Sequence, residues 1–196
     1  MKILKRILIV IAAIFLIAVV IGFFLPRHVK VERSLVINAP AASVHAQVNE
    51  LKNWPNWSPW YEMDPNEKLE YSDPSSGANA WFKWESTNSN VQHGVLKLTA
   101  SSPEKVDFAL NFAEMGDTPG SFAFENADGG TKITWSFDSD FGANPIRHLM
   151  GPMMDKMLGS AFEKGLAKMK AYVESHPVVE PTPAGAEIQD STAAAK

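Results

Sequence analysis

The chain has 196 residues, no cysteine, a net charge of −4 and a pI near 5.7. That length suits one domain with appendages, able to bury roughly two-thirds of the surface its unfolded chain exposes without help from a disulfide or a metal. The missing thiols exclude a disulfide framework, a thiolate nucleophile, a cysteine-ligated metal and a lipidated cysteine, and the acidic balance without a dense Lys/Arg run excludes a nucleic-acid footprint.

Residues 1–6 form a short basic tail with Lys2, Lys5 and Arg6, and residues 7–25, ILIVIAAIFLIAVVIGFFL, carry no charged side chain. As a helix this run would extend about 28 Å, enough to cross the hydrocarbon core. A cleaved signal peptide is the rival reading. Its apolar region is usually only about 7 to 15 residues long, however, and Val20-Ile21-Gly22 is the nearest approach to a small-residue cleavage site. The run therefore reads as an uncleaved, single-pass transmembrane anchor. Arg27, Lys30 and Arg33 balance the cations on the near side, so orientation rests on the short tail and its amine outweighing charges on a large following domain. This favours a cytoplasmic N-terminus in the inner (cytoplasmic) membrane, with the domain periplasmic. Only about five residues separate anchor and first strand, which holds the domain against the bilayer surface.

The stretch Val31–Trp60, VERSLVINAPAASVHAQVNELKNWPNWSPW, begins as a strand. Val29, Val31, Arg33, Leu35 and Ile37 share one face and Lys30, Glu32, Ser34 and Asn38 the other. Pro40 fits the first turn of a helix whose stripe is Val44, Val48 and Leu51, and Pro55 and Pro59 break the next residues into turns. Further strands alternate through Ala80, Phe82 and Trp84, then Val106, Phe108, Leu110 and Phe112. A hairpin comes next, with Phe122 and Phe124 leading through Ala127-Asp128-Gly129-Gly130 to Ile133, Trp135 and Phe137. Between them 91–99 is also a strand, but Val91, His93 and Val95 compete with Leu96 and Leu98 for the inner face, so its register is open. The last element is helical: Ile146, Leu149, Met150, Met153, Met154, Met157, Leu158, Phe162, Leu166, Met169 and Val173 recur at steps of three and four. Gly159 and the capping pattern Ser160-Ala161-Phe162-Glu163 suggest a break there, and Pro152 a kink. After Glu174 the composition shifts to Pro, Ala and small polar residues, a disordered tail over 177–196.

Strands clustered between helices give an α+β class. The Val31–Trp60 stretch resembles the opening of the polyketide cyclase/START-like superfamily, also called SRPBCC or Bet v 1-like. Three further places carry the resemblance: Trp84 followed by Glu85-Ser86-Thr87-Asn88, Gly130-Thr131-Lys132-Ile133-Thr134-Trp135, and Asp155-Lys156-Met157 with Phe162-Glu163-Lys164-Gly165-Leu166. It spans about residues 30 to 175 of a domain placed at 28–176, and together these places look like the membrane-anchored members. The resemblance implies a helix-grip fold, a curved antiparallel sheet wrapped around a long C-terminal helix, with an apolar ligand commonly enclosed between them. Some relatives are aromatase/cyclases or dehydratases. Val91-Gln92-His93-Gly94 departs from the pattern, since relatives often carry a second glycine there.

Trp54, Trp57 and Trp60 have three open roles: roofing a cavity mouth, dipping into lipid headgroups, or filling the core. Met150, Met153, Met154 and Met157 offer a soft, adaptable apolar surface, although methionine at helical spacing more often packs a core. The ligand-binding set read from the sequence is Trp57, Trp60, Phe82, Trp84, His93, Phe108, Trp135, Met150 and Met154. So many rings on one interior face are equally compatible with a filled cup. The five histidines form no metal-ligand spacing; His28, His45 and His176 read as solvated, and His93 as the one an alternating strand can turn inward, with Glu85 the nearest partner for acid–base work. Ser102-Pro103-Glu104-Lys105 is a chance Ser-x-x-Lys lacking the companion motifs of acyl-serine enzymes. No catalytic residue, metal or cofactor is expected. The reading is a membrane-anchored binding protein for a hydrophobic small molecule or lipid, with a cyclase/dehydratase-like enzyme or a protein-interaction module with a filled core as alternatives.

Overall fold

The computed structural model describes residues 2–113 and 116–177, so the tail expected beyond the last helix lies, Pro177 apart, outside the described residues. The apolar N-terminal run lies in one helix, α1 (Lys2–Phe24), which also takes in Lys2, Lys5 and Arg6 of the basic tail and is exposed along most of its length and long and apolar enough to cross a membrane. Pro26 disfavours helical backbone at Leu25, and two residues later the chain is extended.

Seven strands form one antiparallel sheet: β1 (His28–Ile37), β2 (Lys68–Tyr71), β3 (Trp81–Glu85), β4 (His93–Ser102), β5 (Lys105–Phe112), β6 (Asp117–Ala127) and β7 (Gly130–Asp140). The order is β1-β7-β6-β5-β4-β3-β2, a meander from β2 to β7 closed by β1 along β7. Ala127 pairs with Gly130, so the β6–β7 turn is Asp128-Gly129, with Gly129 at φ +82°, where only glycine is unstrained. Between β1 and β2 lie α2 (Ala41–Asn49), a 3-10 turn Leu51–Asn56 and α3 (Pro59–Met63); α4 (Pro145–His148) and α5 (Gly151–Ser175) come after the sheet. This is the helix-grip fold: α5 crosses the concave face with Phe162, Leu166, Met169 and Val173 buried, and α2 adds Val44 and Val48.

Two local expectations are corrected and one strand is added. α5 runs unbroken through Gly159, which is there for clearance and does not stop the helix: a Cβ would come within 2.1 Å of the Arg33 guanidinium, which passes over that turn. Arg33 sits on the inner face of β1 and donates to Glu163 at 2.7 Å and Asp155 at 3.1 Å, tying strand to helix. Pro152 occupies the first turn of α5, where it starts the helix without kinking it. β2 escaped the strand pattern because it has four residues; its inward Leu69 and Tyr71 were the available signal.

Candidate ligand-binding site

The register of β4 decides what the cup contains. Leu96 and Leu98 take the inner face and are buried, which by alternation turns Gly94 inward and His93, Val95 and Lys97 outward. Gly94 is required here, because a Cβ would fall 2.3 Å from the Trp84 ring and 2.5 Å from the Asn111 carbonyl. The expectation that His93 enters the cup is therefore corrected: it is exposed, opposite an equally exposed Glu85 on β3.

Inside the cup the aromatic residues close on one another. Trp54 and Trp57 lie 4.7 Å apart between ring centres, Trp57 meets Trp135 edge-on at 5.6 Å, and Trp135 stacks on Phe162 of α5 at 4.1 Å and 10°. Phe122 lies 4.8 Å from Trp135 and 5.6 Å from Phe108, and Phe82 bridges Trp54 and Trp84. Trp57, Phe108, Trp135 and Trp84 are thus buried members of a packed interior. Trp60, Phe82 and Met154 are half-buried at its margin. Met150 is a second correction. It precedes α5 with helical backbone, Met154 and Leu158 take the inward stripe, and Met150, Met153 and Met157 face outward, each more than half exposed.

Most indoles in this interior are satisfied. Trp54 donates to the Val48 carbonyl at 2.9 Å, Trp57 to Gln47 at 3.0 Å and Trp84 to Val91 at 3.0 Å. The Trp135 Nε1–H, in a residue only 2% exposed, has no acceptor. A buried donor left unpaired costs about 1–3 kcal/mol, so this one is an open valence in an apolar box.

A groove of about 360 Å³ opens on the helical side between α3 and α5, lined by Pro59, Glu62 and Met63 from one and Met157, Ala161 and Lys164 from the other. Glu62 is paired across it with Lys168 at 2.9 Å. Pro59 joins groove to interior: a Cβ on Gly165 would meet the Trp135 ring at 3.0 Å and Pro59 at 3.2 Å, so these groups converge on one glycine. Trp60, the residue after Pro59, lies edge-on to Trp135 at 5.7 Å. The groove floor is therefore one side-chain layer from the unpaired indole.

A recess of about 20 Å³ beside β2 is lined by Trp54, Tyr61, Leu69, Tyr71 and Phe82 together with Glu67. Burial, with a smaller contribution from Asp64, pushes the Glu67 carboxyl up from 4.5 to about 7. Burial also raises Tyr71. Glu67 was not singled out from sequence, and only its position next to the short β2 hinted at its surroundings. One further histidine reading is revised, and His148, left unassigned from the sequence, is placed. His45, read as solvated, is half-buried edge-on to Phe124 at 5.3 Å, and burial lowers its pKa. His148 is buried, its two ring nitrogens 2.9 Å from the carbonyls of Gly22 and Gly142. Among the described residues no three of His, Asp and Glu form a metal-binding group.

Comparison with known proteins agrees with this architecture. No curated protein matches. The DynU16 protein from the dynemicin biosynthetic locus superposes with a TM-score of 0.54 at 13% identity, over 76% of this chain and 48% of that one. The di-domain ARO/CYC StfQ of the steffimycin biosynthetic pathway gives 0.59 at 13%, over 76% and 52%, and Ara h 8.0201 gives 0.56 at 17%, over 76% and 99%. The chain spans about half the length of the two biosynthetic proteins, and at these identities the likeness is one of fold. The family described as polyketide cyclase / dehydrase and lipid transport matches residues 28–174, the whole sheet and all but the last residue of the grip helix, and the chain belongs to that family.

Proposed function

We propose that the protein is a membrane-anchored binding protein for a hydrophobic small molecule or lipid that carries a hydrogen-bond acceptor. The observation that carries this reading is the Trp135 Nε1–H, a buried donor without an acceptor in an otherwise apolar interior. An apolar molecule in the groove between α3 and α5 would approach the Trp135 indole by displacing Trp60 and Pro59, which sit on a helix of barely more than one turn. Of the sequence-derived set, Trp60 follows the groove-lining Pro59 and Phe82 lines the separate recess beside β2, so in this reading Trp60 meets the ligand first and Trp135 supplies the polar contact. The apolar α1 supports anchoring, and the family description, which includes lipid transport, supports the ligand class. A ligand leaving a bilayer for this groove exchanges one apolar surrounding for another, so little hydrophobic free energy opposes the transfer.

Native mass spectrometry of the full chain, incubated with a lipid extract in detergent, tests this. The expected result is a reproducible adduct identified as a lipid, quinone or similar acceptor-bearing molecule, weakened by Trp135→Phe, which keeps an aromatic ring and removes the donor. A clean ligand-free mass would overturn the binding reading and favour an interaction module with a filled core. One observation favours a second reading as a cyclase- or dehydratase-like enzyme: Glu67 ionises near neutrality beside Tyr61 and Tyr71, which suits proton transfer. Turnover of an apolar substrate abolished by Glu67→Gln, with binding retained, would establish that alternative.

A further inference from the structure

Outside α1, the large apolar side chains exposed among the described residues are five: Met63, Ile146, Met150, Met153 and Met157. All lie on the helical side of the domain. The last four are spaced at steps of four, three and four, one stripe of a helix. Leu149 and Met150, which join α4 to α5, both have helical backbone angles, so the stripe passes from one helix to the next without a change of face. Exposures of 37% at Ile146, 52% at Met150, 65% at Met153 and 63% at Met157 show that the protein's own core does not cover it.

We infer that this stripe docks on the lipid surface of the same bilayer that α1 spans. The inference rests on α1 being a membrane span, and three observations point from there to lipid as the occupant. First, α4 is packed on the last turn of α1. A Cβ on Gly22 would fall 2.1 Å from the Pro145 carbonyl oxygen, and the buried His148 reaches the Gly22 carbonyl at 2.9 Å. The stripe therefore starts beside the point where the apolar run ends and where the headgroup region must lie. Second, Phe23 and Phe24, at 70% and 86% exposed, stand at that same level and extend the apolar surface beyond the stripe. Third, the exposed charges flanking the stripe are complementary to anionic headgroups. Arg147 and Lys156 are exposed, and the neighbouring Asp155 carboxylate is already held by Arg33 at 3.1 Å. An apolar face bordered by cations is the pattern of a helix lying in a membrane interface. Met157 belongs both to the stripe and to the groove, so docking turns the groove mouth toward lipid.

The chain has no cysteine, so single cysteines can be introduced and labelled with an environment-sensitive fluorophore. The full chain is reconstituted in vesicles of phosphatidylcholine and phosphatidylglycerol, with Ile14→Cys within α1, Met153→Cys and Met157→Cys on the stripe, and Lys97→Cys on the outer face of the sheet. All four positions are exposed, so the labels do not disturb the core. The expected result is loss of Ile14→Cys fluorescence to deep spin-labelled lipids, loss of the Met153→Cys and Met157→Cys signals to shallow ones, and none at Lys97→Cys. Quenching at Ile14→Cys with the stripe positions behaving like Lys97→Cys would overturn the docking face and leave the anchor standing. No quenching at Ile14→Cys would remove the anchor, and the docking face with it.

Discussion

Glu67 and Gly94 show how far a single residue's surroundings depart from what its type announces. Glu67 is a carboxyl beside a short edge strand, yet its folded-state pKa of about 7 exceeds the ordinary 4.5, so the folded chain holds this proton more tightly than the unfolded one. Its contribution to stability is complete below about 4.5 and is lost as pH rises through about 7. Glu67→Gln should remove that decline. Urea midpoints of the wild type should fall across this window while those of the variant stay flatter, and parallel curves would show that Glu67 is ordinary. Gly94 fills the opposite role, an absence that the Trp84 ring occupies. Gly94→Ala places a methyl group against both a rigid ring and a backbone carbonyl, so it should cost roughly 1–3 kcal/mol and lower the thermal midpoint, read by the near-ultraviolet signal of the tryptophans. The sequence displayed Gly94 only as part of a departure from relatives. Its partner ring became evident once the register of β4 was known.

Among the elements, those with a long, uninterrupted apolar period were legible and those whose identity depends on a neighbour were not. The α5 stripe from Phe162 to Val173 and the alternation in β5 and β7 name their own buried faces, because burial at every second or every third and fourth position leaves no competing pattern. β4 offered apolar residues on both faces, and the choice fell to Leu96 and Leu98 through their pairing with Leu110 and Phe108. The continuity of α5 through Gly159 was illegible for the same reason, since the glycine answers to Arg33 on a strand far away in sequence. Phe162 is the one residue of the buried α5 stripe that stacks face to face on a ring of the sheet. Phe162→Ala, which removes the face stacked on Trp135, should cost about 3–5 kcal/mol, seen as a shift in denaturant midpoint with an unchanged slope. Glu163→Gln, which removes one of the two Arg33 pairs and leaves Asp155 in place, should leave the denaturant midpoint nearly unchanged.

At the scale of the whole molecule, the α+β class emerged from the order and period of the elements and the helix-grip layout from the family resemblance, whereas the state of the interior emerged from neither. Whether Trp57, Trp60, Phe108 and Trp135 line a space or fill it depends on ring orientations and on the layer contributed by Trp54 and Phe122, which no linear pattern encodes. The outward turn of Met150, Met153 and Met157 was hidden similarly, because a methionine-rich helix has more apolar residues than one face of a core can absorb. The proposed topology, with the domain on the periplasmic side, makes its own prediction. In intact cells, a single cysteine introduced as Lys97→Cys should react with a membrane-impermeant maleimide before lysis, and reaction only after lysis would place the domain in the cytoplasm.

The pairing of β1 with β7, register His28 to Asp140, also bears on how the chain is born. The strand made first must wait, unpaired, until the strand made last among the seven has been synthesised. Contacts this distant along the chain slow folding, and an unpaired edge invites the wrong partner in the interval. Biogenesis of this protein should therefore be limited by completion of β7. Chains arrested after β6 should be degraded or held by chaperones, while chains arrested only beyond the end of α5 should acquire protease resistance.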